Sequence, residues 1–74
     1  ELLAEAERLL KAKDYKQARR LFRTYLSRYP DEATAAEVRF NIGLTLYSER
    51  DYRSALGEFY WIVQNAKSSP LVHD

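Results

Sequence analysis

Side chains that could carry out catalysis or bind a metal are few in this chain and are poorly placed for either. The single histidine, His73, stands beside Asp74 near the C-terminal end, and a triad of these two with Ser68 would have no pocket around it. The chain lacks cysteine, so it offers no thiolate nucleophile or metal ligand. It also contains no metal-binding spacing, phosphate-binding loop or nucleophile-elbow motif. The sequence therefore predicts a protein that is not an enzyme and needs neither cofactor nor metal.

Basic side chains are the next group that could bind a ligand, because they are concentrated in one segment. The net charge is only +1, yet residues 8–28 hold eight Lys or Arg and one acid. A ridge of positive charge can hold phosphates, but proteins that bind single strands interleave aromatic side chains with the charges. Here the aromatic side chains lie on the other face of the predicted helix, so we expect a solvated outer ridge and no nucleic acid partner. The ridge comprises Lys16, Arg19, Arg20 and Arg23.

Apolar residues recur at the spacing of an α-helix in four stretches that together cover most of the chain. The pattern predicts helices over residues 2–10, 15–29, 32–49 and 52–66. No stretch alternates at a period of two, so the sequence predicts an all-α fold without strands. The third stretch is apolar around most of its circumference, and we expect that helix to pack against neighbours on more than one side.

The helix ends are marked by residues that start or stop helices. Asp14 can accept hydrogen bonds from the first turn of a helix, and Gln17 can reach back in a capping-box arrangement. Asp51 is a weaker cap of the same kind. Pro30 separates the second helix from the third, because proline disfavours helical geometry in the residue before it. Pro70, preceded by a serine, predicts the start of one more helix.

The chain repeats itself after 37 residues. This shift superposes an Asp-Tyr pair, an Ala and a Phe of the first half on identical residues of the second half. Self-similarity at 20–50 residues is typical of stacked repeat proteins, in which neighbouring units bury each other's apolar faces. The matched pairs are Asp14 and Asp51, Tyr15 and Tyr52, Ala18 and Ala55, Phe22 and Phe59, and Ala6 and Gly43.

The residue types at these positions resemble the tetratricopeptide (TPR) repeat family. A small residue followed by an apolar one three positions later, and then Ala-x3-Phe, occurs in both halves, beginning at Ala6 and Gly43. The resemblance implies a right-handed α-α superhelix, or TPR solenoid, of two helix–turn–helix repeats. Repeat one would span residues 1–30, repeat two residues 31–67, and residues 68–74 would start a third. The small residues would let the two helices of each repeat cross closely.

Within this family, the chain is most similar to members with longer repeats. Its period exceeds the usual 34 residues, and Tyr25, Ile62 and Lys67 replace the family's usual alanines and second proline. It resembles the Tol–Pal-associated YbgF/CpoB-like domain and, more distantly, the outer-membrane assembly lipoprotein BamD. That resemblance implies the periplasm or cell envelope of a bacterium, with the cytoplasm as the alternative. No apolar run approaches the ~20 residues that span a bilayer, so we expect no direct membrane insertion.

The resemblance also implies a concave groove lined by the first helix of each repeat. Such a groove accepts an extended peptide or a helix, with apolar anchors supplying most of the binding energy. The implied function is a non-catalytic protein–protein interaction module. Alternatively, the apolar members of this set only complete the core. Phe40 stands where a carboxylate-binding member would have lysine, which argues against capture of a C-terminal carboxylate. The implied groove residues are Leu3, Glu7, Leu10, Lys11, Phe40, Asn41, Leu44, Tyr47 and Ser48.

Tyr60 and Trp61 form a second candidate contact site. Trp61 lies off the apolar stripe of its predicted helix and could serve as an exposed binding hot spot, or could pack on a further repeat or a partner chain. Exposed apolar surface of more than a few hundred Å² tends to find a partner, so we expect self-association. The alternative function is accordingly a structural or oligomerisation element whose faces pack on further repeats or on its own copies.

Overall fold

A computed structural model describes residues 1–65, without the side chains of residues 32 and 33. The described part consists of four helices, with no strand among its residues: α1 (Leu2–Lys11), α2 (Tyr15–Arg28), α3 (Glu32–Ser48) and α4 (Tyr52–Asn65). The predicted all-α class and the four helices are confirmed. The radius of gyration of 12.1 Å is close to the roughly 11 Å of a compact domain of this length. The helix start predicted at Pro70 lies outside the described residues.

Three aspartates begin the last three helices. The side chains of Asp14, Asp31 and Asp51 each accept from the backbone N–H three residues later, at 3.5, 3.2 and 3.3 Å. The first turn of a helix leaves its N–H groups without intrahelical partners, and a carboxylate there satisfies one of them. The sequence therefore starts these helices where a short acidic side chain is available.

The first and third helices end in the same way, one repeat apart. Lys13 and Arg50 adopt left-handed backbone with φ of 65° and 67°. The N–H of Asp14 donates to the Leu9 carbonyl at 2.9 Å, and the N–H of Asp51 donates to the Leu46 carbonyl at 2.9 Å. This is the Schellman arrangement, in which glycine usually holds the left-handed position. Because the N–H of Asp14 is already paired, Gln17 does not complete the predicted capping box, and its Oε1 instead accepts from Arg20.

The core runs through both halves of the chain as one cluster. Each small residue at the predicted crossings is buried, and Phe22 is fully enclosed. Leucines of α1 and α2, together with Tyr25 and Phe59, pack around this centre and are only half-buried. The two halves are therefore stabilised jointly. The buried cluster comprises Ala6, Ala18, Phe22, Val38, Ile42, Leu46 and Ala55.

Helix α3 packs against both α2 and α4. This confirms the expectation from its broad apolar surface. The stripe that faces the core, however, runs through Val38, Ile42 and Leu46, while Phe40 and Tyr47 on its other side remain exposed. Thr45 is also fully buried. Its hydroxyl donates to the Ile42 carbonyl at 2.6 Å, so a polar side chain is tolerated in the core without an unpaired donor.

Gly43 allows α3 and α4 to approach each other. A Cβ added to Gly43 would overlap the Phe59 ring and would lie 2.8 Å from its Cζ atom. The phenyl ring therefore occupies the space that any other residue at position 43 would need. Ala55, the other small residue predicted at this crossing, is also buried, and the Phe59 ring packs directly on the glycine.

Candidate functional site

One side of α3 presents apolar side chains to the surface, and we refer to Phe40, Leu44 and Tyr47 as the α3 stripe. The spacing of four and then three residues places them on one face of the helix. Phe40 is 50% exposed and Tyr47 is 58% exposed, whereas Leu44 is half-buried between them. Two large aromatic side chains so exposed on one face form a surface suited to contact with another apolar group.

Aromatic side chains of α4 continue this surface. The Phe40 and Phe59 rings lie 5.7 Å apart between centroids, and the Tyr47 and Tyr52 rings lie 5.1 Å apart. Tilted rings at these distances attract each other through their quadrupoles. The pairs hold Phe40 and Tyr47 in defined positions, so the exposed aromatic surface is preorganised.

The other predicted groove residues differ in how far they are free to bind. Asn41 is half-buried beside the α3 stripe, and Ser48 is exposed at the end of the helix. In the first half, Glu7 and Lys11 are exposed, but the leucines are half-buried and pack against the core. Leu3 and Leu10 are the repeat equivalents of Phe40 and Tyr47. The exposed apolar part of the predicted set therefore lies in the second half of the chain.

Tyr60 and Trp61, adjacent in the sequence, have different surroundings. Tyr60 is exposed on α4. Trp61 is half-buried, and the Arg39 guanidinium lies 4.4 Å from its ring centroid, within the range of a cation–π contact. Arg39 also pairs with Glu58 at 3.0 Å. One face of Trp61 is thus occupied from within the chain, and Tyr60 is the more available of the two.

The predicted basic ridge is not uniformly solvated. The side chain of Arg19 is only 17% exposed and pairs with Glu49 at 2.8 Å. It also donates to Thr45 at 3.1 Å. Arg23 pairs with Glu58 at 3.4 Å. The expectation that Arg19 points to solvent is therefore wrong, because the side of α2 that carries it faces the second half of the chain.

A cleft that the sequence analysis did not identify lies between the start of α1 and the end of α2, with a volume of about 680 Å³. We call it the N-terminal cleft. The Tyr25 and Tyr29 rings, 4.8 Å apart, form part of it. The only sequence signal of this cleft was the large side chain of Tyr25, at a position where the TPR repeat pattern usually has alanine. Its lining is Glu1, Leu2, Glu5, Leu21, Tyr25, Arg28 and Tyr29.

Charges at this cleft are balanced locally. Arg8 donates hydrogen bonds to the Glu5 carboxylate one turn earlier on α1. This hydrogen bond lowers the pKa of Glu5 and raises the pKa of Arg8. Both groups therefore remain charged near neutral pH and partly neutralise each other, so the rim of the cleft does not select strongly for a ligand of either sign.

Residues 1–65 contain no group of three His, Cys, Asp or Glu side chains that could hold a metal ion. In the same part of the chain, no helix is long and apolar enough to cross a bilayer. Ser68, His73 and Asp74 lie outside the described residues.

Residues 1–65 thus form an all-α fold of four helices, with exposed aromatic surface on α3 and α4. Comparison of the chain with protein-family models, with curated proteins and with solved structures found no match in any of the three.

Proposed function

We propose that this chain is a non-catalytic protein–protein interaction module of the TPR type, which binds an apolar peptide or helix on the α3 stripe. The observation that carries the proposal is the exposure of Phe40 and Tyr47, each about half accessible, on one face of a helix whose other faces are packed. Exposed aromatic residues with restricted motion are common anchors of protein interfaces. Ring contacts to α4 reduce the entropy lost when a partner binds.

Polar neighbours of the α3 stripe fit recognition of a peptide. Asn41 can both donate to and accept from a peptide backbone, and Ser48 offers a hydroxyl at the other end of the stripe. Glu7 and Lys11 add one charge of each sign from α1. In the proposed superhelix, α1 and α3 line the same concave surface, so these groups flank the aromatic anchors. An apolar ligand with a few polar contacts matches this composition.

The proposed cellular setting is a complex of the bacterial cell envelope. It rests on the long repeat period and on the resemblance of the sequence to envelope TPR proteins.

The second candidate function is that of a structural element whose faces pack on further repeats or on copies of the chain. It is favoured by a separate observation, the exposure of Leu56 and Val63 on α4, each 67%. Aliphatic side chains exposed to this degree on one helix are typical of a surface that another helix covers.

Binding at the α3 stripe can be tested with a displayed library of random peptides, selected against the immobilised chain. Isothermal titration calorimetry then measures selected peptides against the wild-type chain and against Tyr47→Ala. We expect Tyr47→Ala to weaken binding by at least ~1 kcal/mol, about fivefold, because an aromatic anchor is lost. The fold should persist, since Tyr47 lies outside the buried core.

Tyr60→Ala is the matched control, because Tyr60 is a similarly exposed tyrosine on α4. It should bind the selected peptides as tightly as the wild type does. A selection that yields no peptide above background, or peptides whose affinity is unchanged by Tyr47→Ala, would refute binding at the α3 stripe.

A further inference from the structure

Beside the apolar core, charged side chains cross the junction between the two halves of this chain. Arg19 of α2 reaches Glu49 at 2.8 Å, just beyond the end of α3. Arg23 of α2 reaches Glu58 of α4 at 3.4 Å, and Arg39 of α3 pairs with the same carboxylate. These contacts show which side of α2 faces the second half of the chain and which residues of the second half it contacts.

Shifting the donor side of this junction by one repeat of 37 residues leads to α4. Arg19 corresponds to Leu56, and Arg23 corresponds to Tyr60. Both α4 side chains are exposed. They belong to a row of exposed apolar and aromatic side chains that we call the α4 stripe: Tyr52, Leu56, Tyr60 and Val63.

Shifting the receiving side back by one repeat leads to α1 and α2. Glu49 corresponds to Ala12, and Glu58 corresponds to Leu21. Arg39 corresponds to Leu2. Leu2 and Leu21 line the N-terminal cleft, and Ala12 is exposed. Each charged member of these pairs at the internal junction thus has an uncharged counterpart in the other half of the chain.

We propose that the chain associates end to end with a second copy of itself. The α4 stripe of one copy packs against the N-terminal cleft of the next, in the arrangement that α2 makes with the second half inside the chain. Leu56 then meets Ala12 of the other copy, and Tyr60 meets Leu21. The polarity of these pairs has changed on both sides together, and Arg8, the repeat counterpart of Thr45, enters the contact already paired with Glu5. Within the α4 stripe, Tyr52 is in ring contact with Tyr47 of the α3 stripe, whereas the proposed contact between copies is made by Leu56 and Tyr60.

An end-to-end contact joins two different surfaces, so each added copy leaves one α4 stripe and one N-terminal cleft free. Such heterologous contacts do not stop at a dimer unless they close into a ring. The average mass of the protein is therefore expected to keep rising with concentration. A contact between two α4 stripes would instead stop at a symmetric dimer. A chain that uses neither surface for association would remain a monomer.

Two single variants separate these arrangements. Leu56→Arg alters only the α4 stripe, and Ala12→Glu alters only the cleft side of the junction. Both positions are exposed, so the fold should tolerate either change. Each variant alone should associate at least ~10-fold more weakly than the wild type, because it places an unpaired charge in the contact. An equimolar mixture should recover association, since the introduced arginine and glutamate reproduce the Arg19–Glu49 pair.

Sedimentation velocity from ~10 µM to ~1 mM covers the range in which weak contacts dissociate. Two matched controls should behave as the wild type does. Ser54→Arg lies on α4 about 200° of helical rotation away from Leu56, and Ser27→Glu lies outside the cleft. Circular dichroism checks that every variant keeps its helices. A second pair, Tyr60→Arg with Leu21→Glu, reproduces the Arg23–Glu58 pair and should give the same recovery.

A wild-type chain that is monomeric over this whole range overturns the proposal. So does association that Leu56→Arg abolishes and Ala12→Glu leaves intact, because that pattern indicates contact between two α4 stripes. Failure of both equimolar mixtures to exceed the single variants overturns it as well.

Discussion

At the scale of single residues, Gly43 and Phe59 illustrate how one missing side chain joins two helices. Glycine inside a helix is less favourable than alanine by about 1 kcal/mol. At position 43 the glycine permits close packing in return, because the Phe59 ring lies where a Cβ would be. The chain contains a second helical glycine, Gly57, at which an added Cβ would meet no atom within 4 Å. The two glycines therefore allow steric and conformational effects to be separated.

We predict that Gly57→Ala stabilises the fold by about 0.5–1 kcal/mol, as expected for an exposed helical site. Gly43→Ala gains the same helical preference but forces the Phe59 ring aside, an overpacking cost of about 1–3 kcal/mol. Urea unfolding followed by circular dichroism measures both. Gly43→Ala should be less stable than Gly57→Ala by at least ~1 kcal/mol, and equal stability would contradict the close contact.

At the scale of helices, the ends are better defined than composition alone would suggest. Aspartates begin α2, α3 and α4, and a left-handed residue follows the ends of α1 and α3. The left-handed positions are held by Lys13 and Arg50, although a side chain there costs about 1–2 kcal/mol relative to glycine. Because both halves of the chain share this feature, it can be tested twice in one protein.

Lys13→Gly and Arg50→Gly are each predicted to raise the free energy of unfolding by about 0.5–1 kcal/mol. Relief of the left-handed strain exceeds the extra conformational freedom that glycine brings to the unfolded chain. Chemical denaturation of the two variants and of Glu7→Gly, an exposed site within α1, makes the comparison. Glu7→Gly should lose about 1 kcal/mol. A loss of stability at both left-handed positions would be inconsistent with the observed helix ends.

The contact between α2 and the second half can be tested with two neighbouring arginines. Arg19→Ala removes the pair with Glu49 and the hydrogen bond to Thr45 from a largely buried site, and should lower stability by about 1–2 kcal/mol. Arg20→Ala removes only an exposed contact with Gln17 and should change stability by no more than about 0.5 kcal/mol. Thermal unfolding of both variants measures the difference. Similar losses at the two positions would mean that Arg19 does not hold the halves together.

At the scale of the whole molecule, the two halves share a pattern but not an environment. Phe22 and Phe59 are repeat equivalents, yet Phe22 is fully enclosed while Phe59 is half-buried. Phe22 lies at the centre of the cluster that joins the halves, whereas Phe59 lies at the edge, over Gly43. The α4 stripe is exposed as well, so position within the fold decides which aromatic residues are core and which are surface.

Phe22→Ala is predicted to cost about 3–5 kcal/mol, which is comparable to the whole stability of a domain this small. The variant should be largely unfolded at room temperature by circular dichroism. Phe59→Ala should cost only about 1–2 kcal/mol, because less apolar area leaves water when the ring packs. Phe22→Leu, a milder change, should remain folded and allow the loss to be measured. Equal losses for the two alanine variants would argue against the different burial of the rings.

Local patterns in the sequence predicted the all-α class, the four helices and two of the aspartates that begin them, Asp14 and Asp51. Those features depend on contacts within a few residues, such as the reach of a carboxylate to the next turn or the period of an apolar stripe. The local pattern also showed that α3 must be covered on more than one side. It did not show which side chains of α3 would be buried, because Phe40 and Val38 are both apolar and spacing alone does not distinguish them.

The burial of particular side chains and the shape of the surface depend on how the helices pack against each other. Tertiary packing buried Val38 and exposed Phe40, and it turned Arg19 away from solvent toward Glu49. It also formed the N-terminal cleft from residues of two helices. Each of these outcomes depends on how a neighbouring helix is oriented about its axis, and that orientation is set by packing between residues distant in the chain. Short-range spacing carries no information about it, because a helix presents all of its faces until another helix covers one.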